Sequence, residues 1–493
     1  MASQIPITIS KSRYLSGLQC AKRVWTEQHA RQLLPLIEPS TQATFDQGHE
    51  VGRLATQLFP GGLEVSPGPR RWADVTSATE KLLSQRRPLY EGGFVFQGAA
   101  CRVDILVPVE ANQWDVLEVK SSTSVKDVHL TDLAFQAYVL EGSGLQVRDY
   151  YLVHLDSAYV RSGELELEEL FHKALVSEEV RHRLPEVADG LEEIRGVLEQ
   201  QSRPEVSIGL HCDEPYPCPL KSECFGFLPE HNVLQLYGGR KKGFALLDRG
   251  VLELAAIPED FELSDKQQLQ LETVRSGEAH MDVAGIKAVL ATLIYPVSFF
   301  DIETVSTAVP RFDNTRPYQQ LPFLFSIHRI EEPGGEARHF AFQVTEEGDP
   351  RQEFMRAART SLGERGSIVA YNASFESRVL VESSQVLPEV EPWALDATDR
   401  FVDLLVPFRS FLYYHPEQMG SASLKKVLPA VAKISYDELE IREGEQAGRE
   451  YLRVMQPGFD PMERARVLRD LEAYCSVDTL GLVAIVDRLS SAT

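Results

Sequence analysis

The 493-residue sequence has only six cysteines, no apolar run long enough to cross a bilayer, no internal repeat and no low-complexity tract. Each shortage removes a class of protein. Six cysteines in so long a chain are too few for the disulfide scaffold of a small secreted domain, and a reducing compartment would not support one. The longest apolar stretch, residues 289–300, is broken by Thr292, Pro296 and Ser298, and it falls short of the about 20 residues a membrane helix needs. Residues 1–18 carry polar interruptions and no h-region, so no secretion signal is expected, and a cytoplasmic location follows by default. Basic residues are scarce too: 50 Lys plus Arg stand against 73 Asp plus Glu, a formal net charge of −23. That balance excludes a protein that coats nucleic acid with a broad basic surface, because phosphate neutralisation by Lys and Arg dominates such binding. Any nucleic acid must enter a local groove or be held through metal ions.

What remains is the composition of a globular protein, 43% hydrophobic and 25% charged. At roughly 150 residues per domain the length allows about three domains, or two large ones. Residues 164–204 are charged and helix-periodic, over 167–175 and again over 184–198, which predicts one or two exposed helices after a sheet. Residues 211–227 form a Pro- and Cys-containing loop with too few apolar side chains to pack without a partner. Short amphipathic helices are expected over residues 241–293, where residues 244–254 resemble half of a helix-hairpin-helix unit. A strand from Val297 into Asp301 and Glu303, a second over 323–330 and a third over 337–344 beyond Pro333-Gly334-Gly335 predict a meander. The simplest organisation is a first domain over residues 1–228, a helical connector over 229–294 and a second domain over 295–493.

Three groups of residues carry chemistry. In the first, Arg102-Val-Asp104-Ile-Leu-Val reads as a strand and Trp114-Asp-Val-Leu-Glu118-Val-Lys120 as its hairpin neighbour. Glu118 and Lys120 are two apart and share a face, and antiparallel pairing brings Asp104 beside them. Two carboxylates in that position can fix Mg²⁺ or Mn²⁺, hard cations that choose oxygen, while the lysine orients or deprotonates a water. The plain alternative is a salt-bridge cluster on an exposed hairpin face. A helical segment, His129 to Leu140 with Gln136 and Tyr138, follows directly and leads into the strand Asp149-Tyr-Tyr-Leu-Val-His-Leu. This succession resembles the RecB-like nucleases of the PD-(D/E)XK superfamily. The resemblance implies a restriction-endonuclease-like mixed-sheet domain, with Asp104, Glu118, Lys120 and Gln136 around the metal. It also implies a further ligand from an early helix, His49, with Glu50 as its substitute. The family's Gln-x-x-x-Tyr spacing is here Gln136-x-Tyr138, and no Pro precedes Asp104.

The second group is Cys212, Cys218 and Cys224, each five residues from the next, with Cys20 far upstream. Four thiolates could hold a tetrahedral zinc ion or a [4Fe–4S] cluster, although zinc sites usually pair cysteines more closely. Buried cysteines that merely pack are the alternative, and Cys101 and Cys475 fit it. One cysteine near the start and three just after a RecB-like core resemble the iron–sulfur nucleases of that superfamily, including the CRISPR adaptation nuclease and AddB-type repair nuclease families. The resemblance implies a [4Fe–4S] cluster joining the two ends of the domain; the first five-residue gap departs from the family's pattern.

In the third group, Asp301 and Glu303 share one face of a strand, where two carboxylates repel unless a divalent ion lies between them. Ile368-Val-Ala-Tyr-Asn372-Ala-Ser-Phe375-Glu376 reads as strand, turn and helix start. Tyr474 and Asp478 lie one turn apart on a late helix. These resemble the three motifs of DEDDy exonucleases in the RNase H-like superfamily, and residues 400–405 and 421–428 resemble the family's intervening segments. The resemblance implies an RNase H-like α/β domain in which Asp301, Glu303, Glu376 and Asp478 hold two metal ions and Tyr474 positions a water. Glu376 stands where the family commonly has Asp. Over nearly its whole length the chain also resembles a group of bacterial predicted nucleases of unknown biology.

The sequence thus predicts an α/β protein with two nuclease domains that cleave phosphodiester bonds with Mg²⁺ or Mn²⁺. DNA ends or single strands are the favoured substrates, in repair or in defence against foreign DNA, and RNA is not excluded. Two alternatives remain: one catalytic domain with the other a nucleic-acid clamp, or a non-catalytic adaptor with structural metal sites.

Overall fold

A computed structural model describes residues 7–65, 71–110 and 112–491. Residues 1–6 of the expected first domain and 492–493 of the second lie outside the described residues. The chain divides into two compact units, Met1–Phe227 with Thr307–Tyr318, and Leu228–Ser306 with Gln319–Thr493. Residues 229–294 thus fall in the second unit, and a short segment of the expected second domain falls in the first.

The first unit runs β1 (Ile9–Ser10), α1 (Lys11–Gln19), α2 (Ala21–His29), α3 (Pro39–Thr56), β2 (Leu63–Glu64), α4 (Trp72–Leu83), β3 (Leu89–Phe96), β4 (Ala99–Pro108), β5 (Gln113–Lys120), α5 (Asp127–Gly142), β6 (Gln146–Leu155), α6 (Leu167–Leu170), β7 (Phe171–Leu175), α7 (Ser177–Leu198) and α8 (Lys221–Phe225). Strands β2 to β7 lie side by side in chain order, and β1 adds to β4. The β5–β6 pair is parallel and the β3–β4, β4–β5 and β6–β7 pairs are antiparallel, so the sheet is mixed. One face packs apolar residues of α1, α5 and α7 against Val116, Tyr150 and Leu152. The other packs Val51 and Ala55 of α3, together with Ala308 and Val309, against Ile105, Leu117 and Val153.

One local expectation is corrected. Residues 167–175 are not one helix: a single turn, α6, gives way to β7, which pairs with β6 from Leu155↔Phe171 to Tyr151↔Leu175. Leu170 and Phe171 are both buried against Leu155 and Tyr159. Pairing the open edge of β6 satisfies backbone groups there, which outweighs the local helical periodicity.

The second unit continues with α9 (Arg240–Asp248), α10 (Asp265–Ser276), β8 (His280–Met281), α11 (Val283–Leu290), β9 (Val297–Val305), β10 (Leu321–Ile330), β11 (Arg338–Gln343), α12 (Arg351–Leu362), β12 (Ile368–Ala370), α13 (Ala373–Ser384), α14 (Glu391–Thr398), β13 (Phe401–Asp403), α15 (Leu405–Arg409), β14 (Tyr413–Tyr414), α16 (Leu424–Ala432), α17 (Gly444–Val454) and α18 (Pro461–Ser491). Its main sheet has the order β11-β10-β9-β12-β13. The first three strands form an antiparallel meander, and β9, β12 and β13 run parallel. Phe300, Ile302, Phe325 and Ile327 project to one face, where α12, α13 and α14 bury them with Phe354, Leu380 and Trp393. Alternation therefore sends Asp301 and Glu303 to the opposite face, against which α17 and α18 pack. No helix among the described residues is long and apolar enough to cross a membrane.

Candidate metal centres

The first carboxylate group forms where β4 and β5 part. Their pairing runs from Pro108↔Trp114 to Ile105↔Leu117 and stops there, while the start of β4 pairs instead with β1. The backbone N–H of Val119, left without a β4 partner, donates to Asp104 Oδ2 at 2.7 Å. On the same face Lys120 Nζ donates to Glu118 Oε1 at 2.6 Å and to Asp132 Oδ2 at 2.7 Å. Gln136 Nε2, one helical turn beyond Asp132 on α5, donates to Glu118 Oε2 at 2.7 Å. The structure therefore joins Asp104, Glu118, Lys120 and Gln136, with Glu118, Asp132 and Gln136 buried. His49 lies outside this hydrogen-bonded cluster, exposed on α3, with Glu50 half-buried beside it. Tyr138 donates to Gln97 and takes no part in the cluster.

Two members escaped the sequence reading. Lys11, the first residue of α1, donates to Glu118 Oε1 at 2.7 Å and lies 3.5 Å from Asp132 Oδ1. Nothing in its local sequence marks it; β1 carries it there. Asp132 did have a signal, since four-residue spacing puts it on the Gln136 face of α5. Burial pushes the Asp104 carboxyl up to about 7, helped by the Glu118 charge and opposed by Lys11 and Lys120. Burial would raise Glu118 as well, but Lys11 and Lys120 overcome it and hold that carboxyl well below the usual range. Three carboxyls thus face two ammonium groups in a cluster that is largely neutralised by the protein itself.

The cysteine loop does find its partner. Gln19, at the end of α1, donates to the carbonyls of His211 and Tyr216, both at 2.7 Å, which draws the loop to the segment carrying Cys20. Cys20, Cys212, Cys218 and Cys224 then line one small pocket. Among the described residues, the only three Cys, His, Asp or Glu ligand atoms all within 4.8 Å of one another lie elsewhere.

In the second unit the acids have almost no cationic partner. Asp301 and Glu303 of β9 meet Asp478 and Tyr474 of α18, and Glu303, Glu376, Tyr474 and Asp478 are all buried. Burial raises every one of these carboxyls. For Asp301 the Asp478 charge adds to it, for Glu303 the Asp301 and Asp478 charges, and for Glu376 the Asp301 charge. Asp478 reaches about 7, opposed by a hydrogen bond from Tyr436 and by the Lys425 charge. Glu376 Oε2 is buried with no hydrogen-bond partner. Glu376 is set by a turn: Asn372 adopts a left-handed conformation, φ 73°, and its N–H donates to Asp403 Oδ1 at 3.0 Å. Asn tolerates that conformation better than most residues. Leu405 N–H donates to the same oxygen at 2.9 Å, so Asp403 ties β13 to the start of α13.

The sequence reading also missed Tyr436, whose hydroxyl donates to Asp478 Oδ1. Cys475, expected to pack, is fully buried with its Sγ 3.3 Å from Asp301 Oδ2, and the Asp301, Glu303 and Cys475 ligand atoms all lie within 4.8 Å of one another.

The model of a domain of unknown function, DUF2779, matches residues 298–423. That stretch contains Asp301, Glu303, Glu376 and Asp403 and ends before Tyr474 and Asp478. Among curated proteins, the uncharacterized protein UU173 of Ureaplasma parvum serovar 3 is 23% identical over 209 residues, 38% of this chain and 30% of that protein. The uncharacterized MG366 homolog of Mycoplasma pneumoniae is 23% identical over 205 residues, 38% of this chain and 31% of that protein. The chain spans less than a third of either relative's length.

Because the second-unit carboxyls have folded pKa values above their unfolded ones, the metal-free fold binds more protons than the unfolded chain. Their stabilising effect is complete below about pH 4 and is lost as the pH rises through about 7, the value for Asp478, and beyond. Mn²⁺ is therefore expected to raise the thermal midpoint more at pH 8 than at pH 5.5, and Asp478→Asn to shrink that difference. Equal shifts at both pH values in the parent protein would contradict the assignment.

Proposed function

We propose that the protein is a divalent-metal-dependent nuclease whose principal hydrolytic centre is the acidic site of the second unit. One observation carries this: Asp301, Glu303, Glu376 and Asp478 are gathered with their charges opposed chiefly by Lys425 and, for Glu376, Arg378. Burying several carboxylates this way is costly unless a cation joins them. The resemblance to DEDDy exonucleases agrees with the order and element placement of these residues.

Bound there, divalent ions would supply charge stabilisation for the attacking and leaving oxygens of a phosphodiester. The carboxylates of Asp301, Glu303, Glu376 and Asp478 would hold them. The Tyr436 hydroxyl fixes the orientation of the Asp478 carboxylate through its hydrogen bond. Tyr474 lies beside Asp478, Glu303 and Asp301, whose charges add to burial in keeping its phenol protonated, so it is an O–H donor able to orient a water. Lys425 contributes positive charge near Glu303 and Asp478, where a phosphate would enter.

The first unit supports a RecB-like nuclease reading through the convergence of Asp104, Glu118, Lys120 and Gln136. Lys11 favours a narrower role for it. With two ammonium groups already on Glu118, a metal would have to displace one of them, so this unit binds nucleic acid as a clamp while the second unit cleaves. DNA ends or single strands in repair or defence are the proposed setting, and the acidic chain keeps phosphate attraction local to these sites. At the end of the first unit, the four cysteines that line one pocket would hold a [4Fe–4S] cluster, as the resemblance implies.

Labelled single- and double-stranded DNA and RNA, incubated with the full chain and Mn²⁺, test the activity. Cleavage is expected, falling by about 100-fold or more in Asp301→Asn and much less in Glu118→Gln. Equal losses in both variants would restore the two-nuclease reading, and cleavage no faster than that of an Asp301→Asn, Glu118→Gln double variant would favour a non-catalytic adaptor. Protein purified without oxygen is expected to contain about four iron atoms per chain; stoichiometric zinc without iron would overturn the cluster.

A further inference from the structure

We infer that Cys475 is a metal ligand, so that the acidic centre of the second unit accepts a thiol-binding divalent ion of the Zn²⁺ or Co²⁺ class alongside the hard ions. This rests on the reading of that centre as a metal site. The resemblance accounts for the acids and for Tyr474, and it leaves Cys475 unused.

Four observations point the same way. Cys475 is fully buried on α18, and Asp478 three residues on shares its helix face. A cysteine that only packs would set its sulfur among carbon atoms, whereas Cys475 Sγ lies 3.3 Å from Asp301 Oδ2 and 3.7 Å from the Asp301 carbonyl oxygen. Its sulfur, with one oxygen each from Asp301 and Glu303, makes a triplet of ligand atoms all within 4.8 Å of one another. Finally, the partnerless buried Oε2 of Glu376, whose carboxyl feels the Asp301 charge, offers a further oxygen nearby.

The spacing suits one shared ion. An oxygen about 2.1 Å and a sulfur about 2.3 Å from the same tetrahedral cation stand about 3.6 Å apart. The observed 3.3 Å needs only a small opening. On binding, the Cys475 thiol gives its proton to solvent and a sulfur lone pair forms the bond to the cation; no electron is transferred. Thiolate is a soft ligand, so it strengthens binding of Cd²⁺, Zn²⁺ and Co²⁺ far more than of Mg²⁺.

Cadmium titration of the full chain reads the bond directly, through the ultraviolet charge-transfer absorption of a thiolate–cadmium pair. The four clustered cysteines give the same absorption in every variant, so the measured quantity is the difference between the parent protein and Cys475→Ser. The expected result is a difference band equivalent to one thiolate, also absent in Asp301→Asn. Calorimetry should show Cd²⁺ binding at this site weakened at least about tenfold by Cys475→Ser, with Mg²⁺ binding changed less than about twofold, since Mg²⁺ chooses oxygen. Cd²⁺ or Mn²⁺ binding that is lost in Asp301→Asn but unaltered in Cys475→Ser, with no difference band, would overturn the role of the cysteine and leave the metal centre standing. Binding isotherms identical in the parent, Asp301→Asn and Cys475→Ser proteins would overturn the metal centre itself, and this inference with it.

Discussion

The gathering of buried carboxyl groups in the second unit, whose ionised forms the protein itself opposes only weakly, is the constraint that organises its site. Strand β9 alternates so that its aromatic and aliphatic residues enter one core and its acids enter the other side. Helix α18 then closes over those acids, adding Asp478 instead of a lysine. Water is largely excluded, and among the described residues Lys425 and Arg378 are the cations that oppose these charges. Without a cation these carboxyls take up protons, as their raised pKa values show; the divalent ion we propose would hold them ionised instead.

The first unit solves the same electrostatic problem differently. There Lys11 and Lys120 supply the countercharge to Glu118, Asp132 and Asp104. The two units therefore place carboxylates at sheet positions of similar kind, but one is closed by its own lysines and the other is left open to a cation. That difference, rather than the number of acids, is why we place the proposed hydrolytic centre in the second unit. On the proposed reading, a chain of net charge −23 would meet a polyanion only locally, where bound cations offset its acids.

Much of both sites was legible in the sequence because period-two and period-four spacings fix which side chains share a face. Asp301 with Glu303, Glu118 with Lys120, and Tyr474 with Asp478 all follow from that rule. What spacing could not reveal was partnership across long separations. Lys11 reaches Glu118 only because β1 adds to β4, and Tyr436 reaches Asp478 from a segment without periodic pattern. Residues 167–175 misled for a related reason: their local periodicity is helical, but the open edge of β6 recruits half of them as a strand. The contact of Cys475 with Asp301 was not visible, since burial of a cysteine looks the same from sequence whether its sulfur meets carbon or a carboxylate. The cysteine loop was readable as needing a partner, and the role of Gln19 in securing it was not.

A divalent ion among Asp301, Glu303, Glu376 and Asp478 is open to direct observation. Crystals of the full chain grown with Mn²⁺, with diffraction collected near the manganese absorption edge, locate such an ion without reference to activity. The expected result is an anomalous peak within about 2.5 Å of oxygens from at least two of these carboxylates, absent from crystals of Asp301→Asn. Well-ordered carboxylates bridged by water or by Lys425, with no anomalous peak among them at saturating Mn²⁺, would contradict it.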